Sequence, residues 1–490
     1  MNAKSQKQIT WLTLAMMSFS MVWGFGNVVN NFAEQGMVVI FSWVAIMAIY
    51  FVPYALMVGE MGSAYPEAKG GVGSWLSQAT WSNANTGRLI AYLAGWTYWV
   101  VHVPYLAQKP QAALVALGWA TTWMNADGVS FMKLLSPLHI QLIVLAIFLI
   151  FMYVASRGIT SLKLIGYVAG MSTFILSLLY VLLAIMAPTL RGVPIATENL
   201  FQVNNFIPHF NREYLGTIAM LVFAVGGAEK ISPYVRNMDN PSKGFPKAMI
   251  ALAVMVGLSA ITGSIAMGMM FDANNMSNDM LMNGAYDAFL RLGQHYGMGS
   301  ALLYIYAVAT FIGQISVLMF SIDAPLKVML MDADTKYVPA ALTKTNQHGA
   351  PVNGYIMTAI LVGILIIVPA LGMNQMSELY NWLLRLNSVV MPMRYMWVFF
   401  AYVILRNALN EERSRGASYQ FIKNSTLAKA VGWWALGFTA VACIMGAIPK
   451  GTPATNELYH FQLTLNIVFP MVLIGLGFVM PLFAKRAAHH

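Results

Sequence analysis

In "VFAVGGAEKISPYV" (Val222 to Val235), Glu229 and Lys230 follow the glycine pair Gly226 and Gly227, inside a run otherwise built of hydrocarbon. A charge at the centre of a bilayer costs roughly 2.5–3.5 kcal/mol, so an ionisable residue at that depth needs a partner or a task. Eight such residues stand out: Glu60, His102, Lys109, Glu229, Lys230, Asp323, Arg385 and Arg394. Glu229 suits proton or charge coupling, against a structural ion pair. Lys230 is balanced between the same two readings. Adjacent helical residues point about 100° apart, so Glu229 and Lys230 need not pair with each other. Lys109 precedes Pro110 deep in an apolar helix and has no water to snorkel to, so it faces a cavity or an unidentified acid. A histidine's unperturbed pKa is about 6.5, so His102 suits a pH sensor, or else packs as a satisfied histidine. Glu60, near the end of its helix, can reach the interface, and Arg394 reads as structural.

The elements that carry these residues are apolar throughout. The chain has 490 residues, 58% hydrophobic and 9% charged, where soluble domains carry about 25% charged residues. Runs of bilayer length recur along it. Twelve spans are expected, at 11–33, 36–61, 89–123, 137–155, 163–188, 214–236, 246–271, 297–322, 353–370, 376–406, 428–448 and 461–484. The first is too long for a cleaved leader and reads as a retained helix. With the N-terminus inside, 19 of the 28 lysines and arginines fall on the cytoplasmic side and five outside, which places both termini in the cytoplasm. That bias also accounts for the net charge of +10 without nucleic acid. The lone Cys443 allows no intrachain disulfide, and no paired-His, phosphate-loop or nucleophile-elbow motif suggests an enzyme. Trp43, Trp75, Trp81, Trp119, Trp123, Trp433 and Trp434 fall near predicted span ends, as an interfacial belt would.

Two spans are poor continuous helices. Span 1 carries Gly24 and Gly26 in "MVWGFGNVVNNF", and span 6 carries Gly226, Gly227 and Pro233. Glycine costs a helix about 1 kcal/mol and proline about 3, relative to alanine. Irregular backbone at membrane depth survives only beside protein or a water-filled cavity, and a matched pair of interrupted helices is the sequence mark of a secondary transporter's midplane site. Free N–H groups suit a carboxylate and free carbonyls an ammonium. Close packing of neighbouring helices is the competing explanation for the glycines.

Three motifs carry a family resemblance. "GEMGSAYPEAKGGVGSWL" (59–76), "GGAEKISPYVRNMDNPSKGFPKA" (226–248) and "SIDAPLKVMLMDADTKYVP" (321–339) resemble, in order, segments of the amino acid–polyamine–organocation superfamily. Within it, the chain resembles the bacterial glutamate–GABA antiporters and related amino acid/amine exchangers. The resemblance implies an all-α membrane protein of twelve transmembrane helices. It has a leucine-transporter-like five-plus-five inverted repeat, discontinuous helices 1 and 6, and two further C-terminal helices. Its divisions are a cytoplasmic N-terminus (1–10), a first repeat (11–190), an extracellular loop (191–213), a second repeat (214–408), a basic loop with helices 11 and 12 (409–486) and a tail (487–490). It also implies a site between spans 1 and 6, with Trp23, Gly24, Phe25 and Gly26 offering backbone and Gly226 and Gly227 opposite. Phe223 would close over substrate, His102 would line the site, and Glu229, Lys230, Lys109 and Asp323 would couple charge or gate. Trp23-Gly24-Phe25-Gly26 departs from the usual small-residue signature.

The expected activity is secondary transport across the plasma membrane by alternating access. It exchanges an amino acid for a related one or for its decarboxylated amine, with proton-coupled symport as the alternative. Interior cations favour an acidic substrate, while Asp323 and Glu229 favour an amine. No cofactor is expected. The partners are a small amino acid or amine and the lipid bilayer, in a monomer or homodimer.

Overall fold

The computed structural model describes residues 10–65, 72–121, 135–157, 162–229, 238, 240–277, 279–331, 336–373, 375–450 and 455–487. Lys230 lies outside these, as do residues 66–71 and 230–237 of two of the motifs and Trp123. Asp323 is helical, but its side chain lies outside the described set.

The described chain is almost wholly helical, with a single isolated bridge between Thr345 and Pro351. Eighteen helices concern us: α1 (Trp11–Val22), α2 (Phe25–Gln35), α3 (Val39–Ile46), α4 (Val52–Ala64), α5 (Val72–Gln78), α6 (Ala84–Val100), α7 (His102–Ala120), α8 (Pro137–Ser156), α9 (Leu162–Arg191), α10 (Arg212–Ala224), α11 (Pro241–Met270), α12 (Met280–His295), α13 (Ala301–Met331), α14 (Val352–Ile367), α15 (Met376–Val390), α16 (Met393–Leu405), α17 (Ser425–Gly446) and α18 (Glu457–Ala487). Among the described residues, nine helical segments are long and apolar enough to cross a bilayer. This is a multi-pass membrane protein.

Prolines shape the interior. Pro53 has no N–H for the carbonyl of Ile49, and the ladder between α3 and α4 widens into a π turn at Met47–Phe51. Pro104 denies the carbonyl of Val100 a donor, and the helix is interrupted at Val101, so that α7 begins on His102. Pro392 likewise separates α15 from α16 and sets Arg394 in the first turn beyond it.

Burial sorts the bundle. The apolar window of α15–α16 is 72% buried and that of α18 only 22%, so the first runs through the interior and the second along the lipid face. α7 packs chiefly on α13, α1 on α11, and α10 on α17 and α15. Several sequence expectations change here. Trp43, Trp75 and Trp119 are buried in the core, and the Trp119 indole donates to Asn283 Oδ1 at 3.0 Å. Only Trp433 and Trp434 of the expected belt are strongly exposed among the described residues. Sequence position near a span end does not separate a lipid-facing tryptophan from one facing a neighbouring helix. Arg291, expected in a loop, sits on α12 and pairs with Asp287.

Glu60 does not reach the interface. Its carboxylate is fully buried against Arg406 (3.0 Å), accepts from the Tyr402 hydroxyl (3.2 Å) and takes the backbone N–H of Phe421 (2.9 Å). Arg406 in turn donates to Ser414 Oγ at 3.0 Å and to the Ile422 carbonyl. The segment between α16 and α17 is thereby stapled to the end of α4.

Candidate functional site

Both glycine-bearing stretches are broken. α1 closes with the Trp23 N–H bonded to the Phe19 carbonyl at 2.8 Å, and Trp23 and Gly24 are then extended. α2 starts afresh at Phe25, with the Asn27 N–H on the Gly24 carbonyl (2.9 Å) and no side-chain cap on its first N–H groups. α10 stops at Ala224, and Gly227 takes φ +108°, a conformation that L side chains rarely adopt.

The glycines differ in what surrounds them. A Cβ at Gly26 would meet nothing within 4 Å, and one at Gly24 only the Asn27 side chain, at 3.6 Å. The first break therefore opens onto space. A Cβ at Gly226 would instead collide with the ring and hydroxyl of Tyr395. Gly226→Ala should therefore lower stability by about 1–3 kcal/mol through overpacking, and Gly227→Ala by a similar amount through backbone strain. Thermal unfolding in detergent checks both against Gly95→Ala, whose Cβ enters open space.

Behind Gly226 lies a buried polar network. Glu229, 2% exposed, pairs with Arg394 at 3.3 Å and accepts a hydrogen bond from the Tyr54 hydroxyl. Arg394 also donates to Tyr395 Oη (3.4 Å) and meets His102 Nε2 at 3.1 Å. His102 Nδ1 sits 2.7 Å from the Tyr98 carbonyl, so the consistent tautomer has Nδ1–H donating and Nε2 accepting from the guanidinium. Arg394 stacks on the Tyr98 and Tyr395 rings. One carboxylate and one guanidinium, each desolvated, thus hold α4, α7, α16 and the turn after α10 together.

The remaining expected residues fall elsewhere. Phe25 is buried among Tyr180, Phe289 and Tyr306, so only its backbone faces the break. Trp23 stacks on Phe19. Lys109 lies seven residues past His102, about 10 Å along α7, with its ammonium over the Tyr105 ring. Phe223, with Tyr380, packs between the main core and a small apolar cluster of Met220, Leu281 and Leu384.

Above that cluster opens a cavity of about 910 Å³, lined by the end of α2, the starts of α10 and α15 and the turn after α17. On its wall Glu34 is gripped by two cations: Oε1 lies 2.9 Å from Arg385 Nε and Oε2 3.2 Å from Lys450 Nζ. Sequence reasoning singled out Arg385 but missed Glu34 and Lys450, which it placed at a span end and in a loop. Their partners lie 351 and 416 residues apart in the chain, and no local pattern betrays such a pairing.

Two glycine-bearing breaks in a chain of membrane-spanning helices invite comparison with known carriers. A family model described as "Amino acid permease" matches residues 9–472. The chain belongs to the amino acid permease family. This permease is 51% identical over 482 residues to an aspartate/glutamate permease of Lactococcus lactis subsp. cremoris, covering 98% of this chain and 96% of that one. It is 24% identical over 448 residues to a glutamate/gamma-aminobutyrate antiporter of Lactococcus lactis subsp. lactis (89% and 83% covered). To a probable agmatine/putrescine antiporter of the same subspecies it is 23% identical over 372 residues (75% and 73%). The family and these names describe transporters of amino acids and amines rather than enzymes, as the sequence motifs led us to expect.

Proposed function

We propose that this permease carries acidic amino acids, aspartate or glutamate, across the plasma membrane by alternating access. The carrying observation is the double break: α2 begins with no side-chain cap on its first N–H groups and with open space beside Gly26, and α10 stops just short of Gly226 and Gly227. A helix start of this kind favours the α-carboxylate, and carbonyls left by the breaks favour the ammonium. An acidic side chain is supported by the cations Arg385 and Lys450 on the approach and by the 51% identical relative's aspartate/glutamate name. The proposed frame has twelve spans in two inverted five-helix repeats, both termini in the cytoplasm and helices 11 and 12 peripheral. Substrate would sit against Trp23–Gly26 and Gly226–Gly227, with Phe223 closing over it.

Exchange is the mode we favour, supported by the antiporter relatives. Proton-coupled symport is the second reading, supported by the buried Glu229–Arg394–His102 network, which holds two groups able to carry a proton. Purified protein in liposomes distinguishes them. Labelled aspartate should enter vesicles preloaded with unlabelled glutamate, and excess glutamate but not lysine should compete. Uptake that ignores internal substrate and follows an imposed pH gradient would establish symport. Transport of neutral amino acids unaffected by aspartate would overturn the substrate assignment.

A further inference from the structure

The Glu34 cluster has an uneven exposure that its pairing alone does not require. The Glu34 side chain is 5% exposed, whereas Arg385 is 32% and Lys450 21% exposed. The carboxylate is buried behind, and the two cations turn their free faces to the cavity. Lys450 reaches this position across Gly216, where a Cβ would stand 2.9 Å from its Cε. Arg385 is fixed a second time by Nη1 donating to the Lys450 carbonyl (3.4 Å).

Charge around the cavity favours an anion at this spot. Glu213 and Glu378 also line it, but each stands in the first turn of a helix, α10 and α15, whose positive end offsets it. Arg212 and His209 line it as well. The formal charges of the lining, Arg212, Arg385 and Lys450 against Glu34, Glu213 and Glu378, cancel, and the positive ends of α10 and α15 tip the balance toward an anion. The place is also apt: Gly216 lies eight residues before the end of α10, about 12 Å above the break, with the Met220–Leu281–Leu384 layer between.

We propose that Arg385 and Lys450 form a vestibular capture site for the side-chain carboxylate of an incoming acidic amino acid, with Glu34 holding the pair when no substrate is there. The substrate's carboxylate takes contacts that Glu34 gives up, and the amino acid then passes the apolar layer to the break. This rests on the acidic-substrate reading above. It predicts that removing the internal competitor tightens capture, and removing a cation loosens it.

The experiment is the initial rate of labelled aspartate uptake into proteoliposomes at low and high sodium chloride. Glu34→Gln should lower KM roughly tenfold and Lys450→Gln should raise it by a similar factor, with turnover nearly unchanged. The triple variant Glu34→Gln/Arg385→Gln/Lys450→Gln buries no unpaired charge, so it folds if the singles do not. Its KM should be high and should no longer rise with salt, whereas the wild-type KM should rise. A purely structural latch gives the opposite pattern: Glu34→Gln impairs transport and the triple variant restores the wild-type KM, which overturns the capture site. Wild-type aspartate transport with KM unchanged in every variant also overturns it. Absence of aspartate transport by the wild type removes the functional reading and, with it, this one.

Discussion

Replacing Arg394 with methionine should cost about 3–5 kcal/mol of stability and abolish measurable transport. Glu229 is 2% exposed, and its carboxylate would stay buried while losing the guanidinium 3.3 Å away; stranding one member of a buried pair carries a penalty of that size. His102 Nε2 loses its donor as well. The paired replacement Glu229→Gln/Arg394→Met should recover most of the lost stability, because no charge stays buried. Whether it recovers transport then separates two roles. A network that only braces α4, α7 and α16 tolerates the neutral pair, while one that moves a proton or charge during the cycle does not. Thermal unfolding and aspartate uptake, measured on the same preparations, give both readings.

Sealing the first break should also weaken transport, with the opposite sign on stability. Alanine favours helix over glycine by about 1 kcal/mol at each position. Gly26 already lies within α2, so of the pair Gly24→Ala/Gly26→Ala only the first shifts the balance between broken and continuous backbone, by about 1 kcal/mol, or roughly fivefold. Neither Cβ meets a hard obstacle, since Gly24 has only Asn27 at 3.6 Å and Gly26 nothing within 4 Å. Gly24 also lies at φ −161°, which any residue adopts, so no strain enters. Uptake should fall roughly fivefold while the unfolding temperature holds or rises. Unchanged uptake would mean that glycine is needed there only for packing.

The sequence made some of this legible for identifiable reasons. Gly24, Gly26, Gly226 and Gly227 are costly in a helix and lie in two spans, so the breaks announce themselves locally, and the structure breaks at both. Glu229 and Arg394 were visible as expensive charges, but their union spans 165 positions and could not be read from either neighbourhood. Glu34 looked like an ordinary span terminus, because nothing in "NNFAEQG" marks the two cations that close on it. α12 was missed because Asn283, Asp287, Arg291, Gln294 and His295 dilute its apolar face, leaving a helix that does not read as a span. Tryptophan burial was misjudged because lipid and a neighbouring helix are equally apolar to a sequence pattern, and only packing tells them apart.

The central claim is that an acidic amino acid occupies the space beside the break at Gly26. Cys443, the sole native cysteine, is buried in α17, so Cys443→Ala gives a thiol-free background. Gly26→Cys on that background should react with a small hydrophilic thiol reagent, and millimolar aspartate should slow the reaction severalfold while lysine leaves it unchanged. A thiol at that position that never reacts, or reacts at one rate with and without aspartate, would contradict the account.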